Sequence, residues 1–232
     1  TSFLKTSGPM FTKGFTLESY RNAFDKMGTA IAHTFTYSII AIVLMISLGM
    51  LIAYLSVRKR SKMNNVLDTL VMFPYVIPGA VLGIALLLSF NKPPLILTGT
   101  PIILIMAYVI RKLPYTVRSS SAILYQIDSS IEEASINLGV SPLKTFFKTT
   151  AVLMIPGVFS GAVMSWITTI NELSSSVMLY TSKTMTISVA IYTEVLKNNY
   201  GTAAALSVIL SLTSMLSVLL FTKLSGGKSI TL

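Results

Sequence analysis

From Thr34 to Leu55 the chain runs 22 residues without a charged side chain. About 20 such residues cross the hydrocarbon core of a bilayer as a helix. Inside lipid every backbone polar group must find its partner within the protein, which restricts a spanning segment to a helix or a closed barrel. Composition extends the argument to the whole chain: of 232 residues, 53% are hydrophobic and 11% charged. A soluble domain carries about 25% charge, so this one has too little to cover a surface in water.

Four more apolar runs follow, Leu70–Phe90, Leu95–Ile110, Ala151–Ile170 and Thr202–Thr222. The expectation is an all-α integral membrane protein with about five spanning helices and no separate soluble domain. Pro74, Pro78, Gly79 and Gly83 interrupt the second run and predict a kinked helix there. The third is short, and Arg111 and Lys112 end it, although side chains of that length can snorkel and let the helix continue. Pro114 predicts a kink near that end. Pro156 and Trp166 lie inside the fourth run, and Ala203, Ala204 and Ala205 suit close packing in the fifth.

The net charge is +10, but the basic residues sit at the ends of apolar runs rather than in one patch. That distribution speaks for a bilayer and against nucleic acid. With five alternating crossings, segments 56–69, 111–150 and 223–232 fall on one side. They hold Arg58, Lys59, Arg60, Lys62, Arg111, Lys112, Arg118, Lys144, Lys148, Lys223 and Lys228, eleven of the eighteen basic residues. The positive-inside rule makes that side cytoplasmic, with the N-terminus of this sequence outside and its C-terminus inside. Residues 1–33 and 171–201 are then extracytoplasmic. The sequence begins without methionine, and its mixed, polar first stretch is compatible with a further helix upstream.

Chemistry has little to work with. There is no cysteine and one histidine, His33, so neither a disulfide framework nor a metal cluster is expected. No Walker-type glycine loop is present. We expect no catalytic residue, no bound cofactor and no ATP hydrolysis by this chain.

The segment that stands out is polar. Residues 128–150 contain "IEEASINLGVSPLKTFF", Ile131 to Phe147. Ser130 with Glu133 three residues later fits a capping box, which predicts a short helix from Ile131. Ile131, Ala134, Ser135 and Leu138 give it an apolar stripe. Gly139 ends it, and Ser141-Pro142 opens a second short helix with proline at its first position. Phe146 and Phe147 are expected to anchor this helix to the membrane base. A plain interfacial loop and a docking element are both consistent with the pattern.

"EASINLG", Glu133 to Gly139, resembles the signature loop of permease subunits in binding-protein-dependent ABC importers of type I, in which Glu-Ala-Ala is followed by three residues and glycine. Glu133, Ala134 and Gly139 match, Ser135 replaces the second alanine, and Ser141, Pro142, Phe146 and Phe147 continue the pattern. The proline usual thirteen residues after the glycine is Val152 here, leaving only Pro156. "GFTLESYRNAF" (Gly14–Phe24), "FPYVIPGAVLGIAL" (Phe73–Leu86), "AYVIRKLPYTVRSSSAIL" (Ala107–Leu124) and the stretch Met185–Leu210 resemble the branch that carries ferric iron, phosphonates and related anions. The resemblance covers nearly the whole chain and implies one transmembrane domain over 1–232, with a coupling loop over 128–150. It implies a bacterial inner-membrane subunit that pairs with a second permease domain, identical, homologous or fused. Two cytosolic ABC ATPase subunits would grip the loop, and an extracytoplasmic binding protein would deliver substrate.

Glu132, Glu133, Ala134, Gly139, Ser141 and Pro142 are the residues so assigned to ATPase coupling, with Glu133 entering a groove of the ATPase and Gly139 allowing the turn. Pro74, Tyr75, Pro78, Gly79, Arg111, Pro114 and Glu172 are candidates for the pathway or its gate. Arg111 and Arg118 read first as inner-face anchors, Glu172 as a carboxylate at the outer end of the fourth span, and Asp68 as a cap or an interfacial charge at the start of the second. An ion-driven secondary transporter would need buried carboxylates or paired charges in mid-helix, and none is expected. A polyamine, thiamine or phosphonate permease of the same family, or a membrane scaffold that does not transport, are the alternatives.

Overall fold

The computed structural model describes residues 2–7, 10–59 and 61–224. Arg60 and Lys228, two of the cationic residues counted above, lie outside them. Among the described residues a small antiparallel hairpin, β1 (Leu4–Ser7) and β2 (Met10–Phe15), precedes ten α-helices and one π-helical turn. Helix α1 runs from Glu18 to Arg58, 41 residues or about 60 Å. It begins well inside the stretch expected to be a polar lead-in, because residues 18–33 already alternate small, apolar and polar side chains at helical spacing.

The kink expected in the second run is a full break. Helix α2 (Lys62–Val76) and α3 (Gly79–Ser89) meet at 108°. Ile77 and Pro78 are extended at the junction, as the residue before a proline prefers. Asp68 lies within α2; Ser61 caps that helix instead, its hydroxyl accepting from the Asn64 N–H at 3.2 Å. The stretch from Leu95 to Thr100 is not helical. Helix α4 starts at Pro101 and continues through Arg111, Lys112 and Arg118 to Gln126.

The expected pair, a short loop helix followed by a span from Ala151, is one continuous helix from Pro142 to Ile170. Its parts are α6 (Pro142–Thr145), a π-helical turn at Phe146–Thr150, and α7 (Ala151–Ile170). Helices α8 (Ser176–Leu179), α9 (Ile187–Leu196) and α10 (Tyr200–Leu224) complete the chain. By length and composition α1, Pro142–Ile170 and α10 can each cross a bilayer, and α2 with α3 can make a fourth, broken crossing.

Helix α4 is the centre of the molecule. Tyr37, Ala41 and Met45 of α1 pack on Ile103, Leu104, Ala107 and Tyr108 of α4, with Leu86 of α3 and Leu179 of α8. Lower on α4, Leu124 meets Ala53 and Val57 of α1 and Met154 and Val158 of α7. Backbones approach closely here because α7 offers glycine: a β-carbon on Gly161 would lie 2.7 Å from Ser119 Cβ, and one on Gly157 would lie 2.5 Å from Ile123 Cβ. This is the small-xxx-small spacing that membrane helices use to pack. Ala203 and Ala205 are buried as expected while Ala204 is half-buried, and Ala205 belongs to a separate cluster of α10, α9 and the start of α1. By contrast, Ile39, Val43 and Leu51 of α1 and Leu212, Leu216 and Leu220 of α10 remain exposed, a surface suited to lipid or to another apolar protein face.

Candidate functional site

Two places combine chemistry with position: the loop around α5 and a charged cluster on α4. Helix α5 spans Ser130–Asn137. The expected capping box does not form. The Ser130 N–H donates to Asp128 Oδ1 at 2.9 Å, and the residue at the cap, Ser129, makes no side-chain cap bond. This bond holds the Asp128 carboxyl below its ordinary range. The end of α5 is as expected. Gly139 has φ +84°, its N–H donates to Ile136 O, and the Val140 N–H donates to Ser135 O. That is a Schellman end, in which glycine takes the left-handed position at least cost. Open space surrounds Gly139, so backbone conformation alone calls for glycine there. Pro142 stands in the first turn of α6, also as expected.

The two glutamates divide. Glu132 is buried and turns inward: it accepts from Arg58 Nε at 2.9 Å and from the Tyr54 hydroxyl at 3.2 Å. Arg58 also donates to Ile127 O at 2.7 Å. The Tyr54 ring packs edge-on against Phe146, which is buried rather than set in the membrane base, whereas Phe147 is exposed. A hydroxyl pair, Ser135 and Thr145 at 3.0 Å, ties α5 to α6. Glu133 is exposed, as are Ala134, Leu138 (85%), Ser141, Pro142 and Leu143. One face of the loop is thus fixed to α1, and the other is free and partly apolar.

The second site overturns two expectations. Arg111 and Glu172, assigned to opposite faces of the membrane, are ion-paired: Arg111 Nη1 donates to Glu172 Oε1. Lys112 Nζ lies 3.0 Å from Glu172 Oε2. The Ser175 N–H and hydroxyl complete the cage on Oε1 at 3.1 and 3.2 Å. Glu172 is 4% exposed. Arg111 stands ten residues from the start of α4 and fifteen from its end, about 15 and 22 Å along the helix. A paired charge therefore does sit in mid-helix, and the argument that set aside a secondary transporter for lack of one does not hold. The physical reason is that a helix can carry cations through an apolar region when a carboxylate meets them.

Several other pathway candidates converge on this cluster. A β-carbon on Gly79 would fall 2.5 Å from Arg111 Nη1 and 2.7 Å from Ser174 Cβ, so glycine at the α2–α3 break admits the guanidinium. Tyr75, exposed on α2, meets Tyr115 of α4 edge-on with ring centres 5.6 Å apart. Pro78 is the N-cap of α3 and Pro114 is buried within α4, while Pro74 lies inside α2 one residue before Tyr75. Arg118 pairs with Asp68 at 3.2 Å, linking α4 to α2 one layer nearer the loop.

Sequence reasoning passed over Tyr54, Arg58, Lys112, Tyr115 and Ser175. A signal for Lys112 was present: the run ending at Ile110 is too short to span, so a helix continuing through Arg111 and Lys112 required a carboxylate, and the chain has eight acids in all.

Residues 45–227 match the profile of the binding-protein-dependent transport system inner membrane component family. The chain is 34% identical over 220 residues to the ferric transport system permease protein FbpB of Actinobacillus pleuropneumoniae, covering 93% of this chain and 32% of that protein. It is 30% identical over 182 residues to the molybdate/tungstate transport system permease protein WtpB of Pyrococcus furiosus, covering 78% and 70%. The chain spans about a third of the length of the ferric relative. Among solved structures, a bacterial ABC transporter involved in import of the acidic polysaccharide alginate superposes with TM-score 0.77 at 15% identity, over 94% of this chain and 86% of that one. The MetNI methionine ABC transporter in an inward-facing conformation gives 0.70 at 16%, over 92% and 96%. These superpositions show a shared fold.

Proposed function

Because this chain belongs to the family of binding-protein-dependent transport inner membrane components, we propose that it forms one half of the translocation pathway of an ATP-driven importer. It carries out no covalent chemistry. A cytosolic ABC ATPase dimer docks on the free face of the α5–α6 loop, with Glu133, Ala134, Gly139, Ser141 and Pro142 as the contact region. A second permease domain, identical, homologous or fused, supplies the other half. An extracytoplasmic binding protein delivers substrate, and the chain sits in a bacterial inner membrane with its N-terminal hairpin outside and its C-terminus in the cytoplasm. Ferric iron or a small anion is the substrate class that the similarity to ferric and molybdate/tungstate permeases supports.

The observation that carries this reading is the asymmetry of the loop: Glu132 is locked inward on Arg58 while Glu133 beside it faces out. An element held rigidly on one side and free on the other transmits a push. Purification of the permease with its ATPase, with Glu133 intact and as Glu133→Ala, tests the reading. The variant is expected to lose the ATPase or to leave its hydrolysis uncoupled from transport. Association and coupling equal to the parent's would refute the docking role.

A further inference from the structure

We infer that Arg111 and Lys112 form a subsite for a small oxyanion midway along the pathway, on the face they share with Tyr75 and Tyr115; the inference rests on the permease reading above. Two cations stand against one carboxylate. Glu172 is already saturated: Arg111 Nη1, the Ser175 N–H and the Ser175 hydroxyl approach Oε1, and Lys112 approaches Oε2. One positive charge is left over. The nearest other charges toward the loop, Arg118 and Asp68, neutralise each other. Among the described residues neither the Arg111 guanidinium nor the Lys112 ammonium has a second hydrogen-bond partner besides Glu172.

The donors left unused are reachable. Arg111 is 17% exposed and Lys112 12%, against 4% for Glu172. Both cations are thus more accessible than the carboxylate they hold. Tyr115 follows Arg111 by four residues and so shares its side of α4, and the exposed Tyr75 ring leans on Tyr115. A guanidinium with a free edge is a planar fork matched to two oxygens of a phosphate, sulfate or molybdate-like anion. The adjacent carboxylate weakens the grip, which suits a conduction site that must release as well as bind.

The test uses the assembled permease in maltoside micelles, purified without its ATPase so that no nucleotide site contributes. Inorganic phosphate is the probe, read by phosphorus-31 line broadening at constant ionic strength with sulfate and chloride as competitors. Broadening that sulfate relieves and chloride does not is expected. Arg111→Gln should weaken it about tenfold, the worth of one charge-assisted hydrogen bond. Glu172→Gln removes the competing carboxylate and should tighten it by a similar factor, a gain that misfolding cannot imitate. Lys197→Gln, a surface control, should leave it unchanged. Equal broadening in the parent and Arg111→Gln, or no gain in Glu172→Gln, overturns the proposal. So does broadening seen with this chain alone and lost in the assembled permease, because a facing carboxylate of the second domain then fills the site. None of these outcomes touches the ATPase result, so this subsite and the importer reading fail separately.

Discussion

Arg58, at the last turn of α1, and Glu132, in the first turn of α5, meet at 2.9 Å with both side chains largely buried. The contact makes the two glutamates of the loop unequal, and their variants should separate. Glu132→Ala strands Arg58 and should cost about 3 kcal/mol, read as a lower unfolding temperature in micelles. Glu133→Ala should leave stability within about 0.5 kcal/mol of the parent's while altering ATPase coupling. Equal destabilisation by both would contradict the inward locking of Glu132.

Gly139 sits at φ +84° with no atom near a would-be β-carbon. Replacement by alanine should cost about 1–2 kcal/mol through backbone strain alone, and asparagine, which tolerates this conformation, should cost less. Chemical denaturation in mixed micelles ranks the variants. A penalty as large for asparagine as for valine would point to a packing role.

Gly79 admits the guanidinium of Arg111. Gly79→Ala should displace Arg111 from Glu172 and lower stability by about 1–3 kcal/mol. In an Arg111→Gln background the same change should cost less, with the clash at Ser174 remaining. Strict additivity in this double-mutant cycle would show that the two residues do not compete for one space.

Asp128 gives α5 a pH dependence of known sign. Its carboxyl titrates below the ordinary value because the Ser130 N–H binds its charged form. The cap's contribution is fully present above the unfolded carboxylate value of about 4 and is lost as pH falls through the lowered one. Amide exchange in α5 should rise on that acid limb, and Asp128→Asn should flatten the profile. An acid limb that persists in the variant would assign it to another group.

Much of the architecture was legible from composition and run length, since lipid imposes helices on any long uncharged stretch. Gly139 and Pro142 were legible too, because each has a local conformational reason to be where it is. The Arg111–Glu172 pair was not. Its members are 61 residues apart, and rules that place cations at membrane edges assign them by default to opposite sides. The break at Ile77-Pro78 was visible as a proline but not as a right-angle turn, because proline marks a lost hydrogen bond and neighbouring helices decide the angle. Glu132 and Glu133 are alike in sequence, and only the approach of α1 tells them apart.

One unbroken helix runs from Pro142, beside the free face of the loop, to Ile170, two residues before Glu172. It places the two sites on a common lever about 40 Å long. Linkage then works in both directions. If engagement of the loop shifts the poise of Glu172 against its cations, occupancy beside those cations must shift the affinity of the loop for its partner by the same factor. Cargo in transit would thereby report its own presence to the motor.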